Sequence, residues 1–117
     1  MTISMLKAEI VDTAEKYPFI KAIHLLDETD NALKMRLEID DLTFIQIYHN
    51  LSSGTINYLL VHNFMRFYAR DCCGGKWHRH PIENPASHDF SSAGSKPVSC
   101  LEFLKEVEEF LINENLI

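Results

Sequence analysis

The feature that most constrains the fold of this chain is a two-residue periodicity between residues 19 and 70. Its clearest part is 33–39, where Leu33, Met35, Leu37 and Ile39 alternate with charged side chains. This alternation indicates a strand with one buried face. Further segments rich in β-branched and aromatic residues cover 19–26, 44–49, 56–62 and 64–70. Short polar turns separate them, so the sequence predicts a five-stranded antiparallel meander.

Helical periodicity is confined to the two ends of the chain. Residues 4–16 repeat apolar side chains at helical spacing, with Ser4 as the expected cap and Pro18 as the stop. Near the other end, Ser99 and Glu102 match a capping box. The apolar stripe that follows comprises Leu101, Leu104, Val107 and Leu111. Glu102, Glu106 and Glu109 are expected to form a solvated face. The stripe must be buried, and the sheet offers the only large surface for it.

A chain of 117 residues with 46% hydrophobic and 24% charged residues fits a single globular domain. The predicted architecture is therefore one α+β domain over residues 1–117, with the C-terminal helix packed on one sheet face. No apolar run reaches the length of a membrane span, and the first residues do not form a secretory signal. No membrane partner is therefore expected. The cysteines are odd in number and include the adjacent pair Cys72 and Cys73, which favours reduced thiols in the cytoplasm.

The charge of the chain is unevenly distributed. The formal net charge is -6, which argues against broad nucleic-acid binding. Residues 63–96, however, contain five basic and three acidic side chains. This segment could therefore bind an anion locally on a protein that is acidic elsewhere.

The segment from Asp71 to Val98 has no clear periodicity. Connections of this length in a compact domain are usually functional or disordered. Its first half carries the anchors Trp77 and Phe90 and two prolines. We therefore predict an ordered, histidine-rich loop over residues 77–90.

Three histidines give this loop its chemical interest. His78 and His80 point to the same side if the segment is extended, and His88 follows after a turn. Three imidazoles with one open position are typical of a catalytic site for zinc or another transition metal. The same groups suit metal-free proton transfer, because imidazole titrates near neutral pH. A third interpretation is that they only hydrogen-bond to backbone carbonyls within the loop.

Arginines and tyrosines lie close to these histidines in the sequence. Arg66, Arg70 and Arg79 could hold a phosphate through bidentate hydrogen bonds. Tyr48, Tyr58 and Tyr68 could stack on bases or donate protons, although core packing is the expectation for at least two of them. Together these residues are the ingredients of a metal-independent ribonuclease. The alternative for Arg66 and Arg70 is the solvated face of an edge strand.

The order of these features resembles the TumE family of toxin–antitoxin toxins. Proteins of that family have an N-terminal helix, an antiparallel meander, an aspartate after the last long strand, a Pro-His-rich stretch with an H-x-H pair, and a final helix. The matching residues here are Asp71, His78 and His80, with Pro85 and His88 further on. The family motif R-x-D-N-x-P-H is replaced by Arg70-Asp71-Cys72-Cys73, and Trp77 stands where the family has proline.

The resemblance implies a growth-inhibiting toxin that acts on RNA and is neutralised by an antitoxin protein. In this interpretation no metal is required. The catalytic residues are His78, His80, His88 and Asp71. The substrate-binding residues are Arg66, Arg70, Arg79 and Tyr68. The alternative is a non-catalytic binding module whose loop is structural or binds a metal ion through the three histidines. An unpaired strand at the sheet edge would also allow a homodimer.

Overall fold

A computed structural model describes residues 1–117 and contains two helices and six strands. The helices are α1 (Ile3–Ala14) and α2 (Cys100–Asn113). The strands are β1 (Ala22–Glu28), β2 (Ala32–Asp40), β3 (Thr43–Asn50), β4 (Thr55–His62), β5 (Met65–Cys73) and β6 (Lys76–His80). Neither helix has the length and apolar composition needed to cross a lipid bilayer.

All six strands form one antiparallel sheet in the order β1-β2-β3-β4-β5-β6. The predicted α+β meander is confirmed, but the strand count of five is too low. The extra strand, β6, lies within the segment predicted to be a loop. Gly74 and Gly75 have positive φ angles of 58° and 78° and make the tight turn that folds β6 back onto β5.

Both helices pack on the same face of the sheet and share one hydrophobic core with it. Phe103 of α2 is fully buried and stacks on Tyr58 and Tyr68 of the sheet. The predicted capping box is present at Ser99. The cap of α1 is Thr2 instead of Ser4, because the Thr2 hydroxyl accepts a hydrogen bond from the Met5 amide.

The first strand begins three residues later than its pattern indicates. Phe19 is buried beside Tyr17, with ring centroids 5.4 Å apart, and it belongs to the turn after α1. β1 starts at Ala22, and its residues from His24 to Glu28 are exposed. β1 is therefore one edge of the sheet, with most of its side chains exposed, and β6 is the opposite edge.

The two faces of the sheet differ in chemistry. Side chains that alternate toward the helices are buried in β2 and β3, and all of them are apolar except Thr43 and His49 of β3. The other face has no helix on it and carries mostly polar side chains. The site described below lies on this open face, at its β5–β6 end.

Candidate functional site

A row of polar side chains crosses the open face from β2 to β6. Neighbours in the row are direct partners in the sheet, so their side chains project to the same side. In order across the sheet the row is Lys34, Tyr48, Asn57, Asp71 and His78. Within it, the Asn57 side-chain amide donates a hydrogen bond of 3.1 Å to Asp71 Oδ1. The row therefore leads from a lysine to the histidine-rich strand.

A second row lies beside the first and includes a residue with a small side chain. It comprises Arg36, Gln46, Leu59, Ala69 and His80. The small side chain of Ala69 leaves a depression of about 340 Å³ over the two rows. Lys34 and Arg66 contribute positive charge to its lining, and Asp71 contributes negative charge.

Asp71, His78 and His80 converge at the end of this depression. His78 Nε2 and His80 Nε2 are 3.1 Å apart. Asp71 Oδ2 lies 3.5 Å from His78 Nε2 and 3.4 Å from His80 Nε2. The three side chains are only 12%, 3% and 15% exposed for His78, His80 and Asp71. We call Asp71, His78, His80 and the adjacent His88 the histidine cluster.

His80 is held by the carbonyl of Pro85. His80 Nδ1 lies 2.9 Å from Pro85 O, and Arg66 Nη1 lies 3.3 Å from the same oxygen. Arg66 Nη1 also lies 2.9 Å from His80 Nδ1. Nδ1 can donate to Pro85 O or accept from Arg66 but cannot do both, so the His80 proton lies on Nδ1 only when Arg66 donates to Pro85 O alone. Burial, followed by the nearby positive charge of Arg66, lowers the pKa of His80. The neutral imidazole is therefore its favoured form.

His88 is the exposed member of the cluster. Its ring centroid is 4.7 Å from that of His80 and 5.0 Å from that of His78. Ligand-type nitrogens of the three histidines all lie within 4.8 Å of one another. These three residues and Asp71 are thus the groups on this face that could hold a metal ion.

A short bridge positions the backbone next to His88. Arg79 and Asp89 exchange two backbone hydrogen bonds, of 3.1 and 2.8 Å, and their side chains form an ion pair. Hydrogen bonds from Ser91, together with Arg79, lower the pKa of Asp89 to about 2. Arg79 therefore acts on the site through Asp89 and is occupied by that carboxylate.

Two predicted substrate-binding residues lie outside the site. Tyr68 and Arg70 point toward α2 and are 1% and 2% exposed. The Arg70 guanidinium binds both carboxylate oxygens of Glu106, and the Tyr68 hydroxyl donates to the same carboxylate at 2.9 Å. Burial, followed by the Glu106 charge, raises the pKa of Tyr68 to about 12. Glu106 is correspondingly part of this network and does not lie on a solvated face.

The remaining predicted groups divide between the core and the site. Tyr58 and Tyr68 pack in the core, as expected for two of the three tyrosines, while Tyr48 lies on the open face. Trp77 anchors β6 by stacking on Tyr58. Phe90 is 60% exposed and lies 5.4 Å from the His78 ring, so it covers the cluster and not the core. All three cysteines are free.

Lys34 and Asn57 are the site residues that sequence reasoning missed. Neither belongs to a recognisable motif, and Lys34 and Asn57 lie 37 and 14 residues before Asp71 in the sequence. The alternation of their strands could have identified them, because each lies at a polar position of its strand and its side chain projects from the open face as part of the first row. Comparisons of the chain with family models, with curated proteins and with solved structures found no match.

Proposed function

We propose that this protein is a toxin-type ribonuclease that cleaves RNA at the histidine cluster. The observation that supports the proposal is the convergence of three imidazoles and one carboxylate at the end of a polar depression with two cations. The resemblance of the chain to the TumE family points to the same activity. Cytoplasmic RNA is accordingly the proposed substrate.

The depression next to the cluster suits a segment of single-stranded RNA. Lys34 and Arg66 would neutralise phosphate charge. Tyr48, half-buried in the first row, would offer its ring or hydroxyl to a base. Of the four substrate-binding residues expected from the sequence, Arg66 retains this direct role. Arg79 would contribute by fixing the backbone beside His88.

The proposed reaction is attack of a ribose 2′-hydroxyl on the adjacent phosphorus. The 2′-oxygen loses its proton to one imidazole, the P–O5′ bond breaks, and a second imidazolium protonates the departing 5′-oxygen. A phosphate does not fit between His78 and His80, since their facing nitrogens are 3.1 Å apart. This pair therefore acts as one base, with Asp71 stabilising the imidazolium that forms. His88, exposed at the mouth, is the acid.

Replacement of His88 tests this assignment without disturbing the core, because the side chain is exposed. His88→Ala should lower the rate of cleavage of a labelled RNA oligonucleotide by about 10²-fold or more. His24→Ala, at an exposed histidine of β1, is the matched control and should cleave normally. The expected products carry a 2′,3′-cyclic phosphate and a 5′-hydroxyl. Equal rates for the two variants, or no cleavage by the unaltered protein, would refute the proposal.

A toxin of this kind requires a neutralising partner. We propose an antitoxin protein that covers the open face and so excludes RNA from the depression. Co-expression with a small neighbouring reading frame should then relieve growth inhibition. A homodimer is proposed at the β1 edge, where Leu25 and Leu26 are 51% and 44% exposed. Light scattering of Leu25→Lys protein would show a monomer if that edge forms the contact.

The second candidate function is a non-catalytic binding module. The burial of His80 favours it, since both ring nitrogens of this residue already have protein neighbours. In this case His80→Gln would lower stability, and neither the variant nor the unaltered protein would cleave RNA. Normal folding of His80→Gln with loss of cleavage would instead support the ribonuclease.

A further inference from the structure

We infer that Asp71, His78 and His80 bind one divalent transition-metal ion, with His88 as the fourth protein ligand. The inference goes beyond the proposed function and does not depend on RNA being the substrate. A bound ion occupies the imidazole nitrogens that the proposed reaction uses for proton transfer, so it is expected to inhibit cleavage. It extends the three-histidine site expected from the sequence by a carboxylate. It also gives Asp71 a direct role at the centre of the cluster.

The spacing of the donor atoms fits a metal ion with little rearrangement. Asp71 Oδ2, His78 Nε2 and His80 Nε2 form a triangle with sides of 3.1, 3.4 and 3.5 Å. Zinc bonds to imidazole nitrogen and carboxylate oxygen are about 2.0–2.2 Å long, so ligands in a tetrahedral site are about 3.3–3.5 Å apart. The triangle therefore has the dimensions of one face of such a tetrahedron.

The hydrogen bonds behind Asp71 and His80 are compatible with metal binding by the atoms that face the centre of the cluster. His80 Nδ1 lies 2.9 Å from both Pro85 O and Arg66 Nη1. In the tautomer in which Nδ1 donates to Pro85 O, the lone pair lies on Nε2. Metal-binding histidines commonly donate their second ring nitrogen to a backbone carbonyl in this way. Asn57 engages Asp71 Oδ1 at 3.1 Å, which leaves Oδ2 free to bind the ion.

A metal ion would also relieve an electrostatic conflict at this position. With the His80 proton on Nδ1, the lone pair of Nε2 faces a carboxylate oxygen of Asp71 at 3.4 Å, and both side chains are largely buried. Without an intervening cation these two acceptors repel each other. A single proton on His78 Nε2 can fill the gap, but it cannot form two well-directed bonds at 3.1 and 3.5 Å. A metal ion can bind all three atoms.

His88 completes the site from the solvent side. One of its ring nitrogens lies within 4.8 Å of a ligand nitrogen of each of the other two histidines. Its exposed ring can move inward while the Arg79–Asp89 bridge holds the backbone. Three nitrogen ligands and one oxygen ligand favour zinc, cobalt, nickel or copper over the hard cations magnesium and calcium. Zinc and cobalt are the probes of choice.

Cobalt absorption and zinc competition provide the direct test. Protein without a histidine tag is stripped with a chelator and titrated with Co²⁺, and the expected result is one tetrahedral Co²⁺ per chain that zinc displaces. Asp71→Asn should weaken binding by at least about 10-fold to 100-fold. His24→Gln, at an exposed histidine far from the cluster, should leave it unchanged. Circular dichroism establishes that each variant is folded.

The outcomes separate this inference from the proposed function. Binding well below one ion per chain at micromolar zinc, or equal binding by Asp71→Asn and His24→Gln, overturns the metal site. If the protein binds no metal and still cleaves RNA in the presence of chelator, the metal site is rejected and the proposed ribonuclease function is retained. Stoichiometric metal binding that depends on Asp71, without RNA cleavage by the metal-free protein, supports the site and removes the ribonuclease.

Discussion

The buried ion pair between Arg70 and Glu106 makes a quantitative prediction about stability. The Arg70 side chain is 3% exposed and that of Glu106 is 26% exposed, with Nη2 and Oε2 2.7 Å apart. Glu106→Gln keeps the size of the side chain but removes its charge. It also places an amide NH₂ where one carboxylate oxygen accepts from Arg70 or Tyr68. The guanidinium then remains buried with one donor facing another.

The expected loss is about 2–3 kcal/mol of unfolding free energy. Removal of one partner from a fully buried pair costs about 3–5 kcal/mol. The exposed part of Glu106 lets water replace some of the lost interaction, and Ala93 O still accepts from Arg70 Nη1 at 2.6 Å. For a domain of this length the loss corresponds to about 8–12 °C in melting temperature.

Urea unfolding monitored by far-UV circular dichroism and by Trp77 fluorescence provides the measurement. Glu109→Gln, an exposed change on the same helix, is the control and should shift stability by less than about 0.5 kcal/mol. In an Arg70→Met background, Glu106→Gln should lose most of its effect, with a coupling of about 2 kcal/mol. A Glu106→Gln protein as stable as the Glu109→Gln protein would show that Arg70 is solvated. Arg70 would then again be a candidate substrate-binding residue.

Two further predictions concern the backbone behind His88 and a buried histidine. A Cβ at Gly94 would lie 2.4 Å from the Asp89 carbonyl oxygen, so Gly94→Ala should lower the free energy of unfolding in urea by about 1–3 kcal/mol. The control is Ser92→Ala, at an exposed position, which should not change it. Equal stability of the two variants would contradict the close packing at Gly94. Burial lowers the pKa of His49, so the unfolded chain gains this proton first as the pH falls below about 6.5, and stability decreases there. His49→Gln should reduce the slope of unfolding free energy against pH, between about pH 7 and pH 5, by up to ~1.4 kcal/mol per pH unit. His24→Gln should leave this slope unchanged. An unchanged slope in His49→Gln would contradict this account.

Strand periodicity predicted most of the sheet but could not predict β6. β2 has an apolar face and a charged face, so its alternation is visible in the sequence. β6 is five residues long and contains Lys76, Arg79 and two histidines, so no apolar alternation marks it. Its one aromatic anchor, the partly buried Trp77, is a single residue and defines no period. The pairing of β6 with β5 comes instead from the Gly74-Gly75 turn.

Alternation also explains which site residues the sequence could have assigned correctly. Arg70 and Asp71 are adjacent in a strand, so they point to opposite faces and cannot both line one site. Arg66 reaches the face of Asp71 only because the register shifts between Leu60 and Val61. Such a bulge has no reliable signature in a single sequence. The same-side placement of His78 and His80, by contrast, follows directly from extended backbone and is confirmed.

The strictly sequential order of the sheet has a consequence for how the protein folds. Each strand pairs with its neighbour in the chain, so every sheet contact forms by closure of a short hairpin. Short closures favour rapid folding, whereas the docking of α2 must close a much longer loop. We therefore expect the polar rows to assemble early on a bare sheet and α2 to dock late. Docking of α2 then completes the hydrophobic core on a sheet that has already formed.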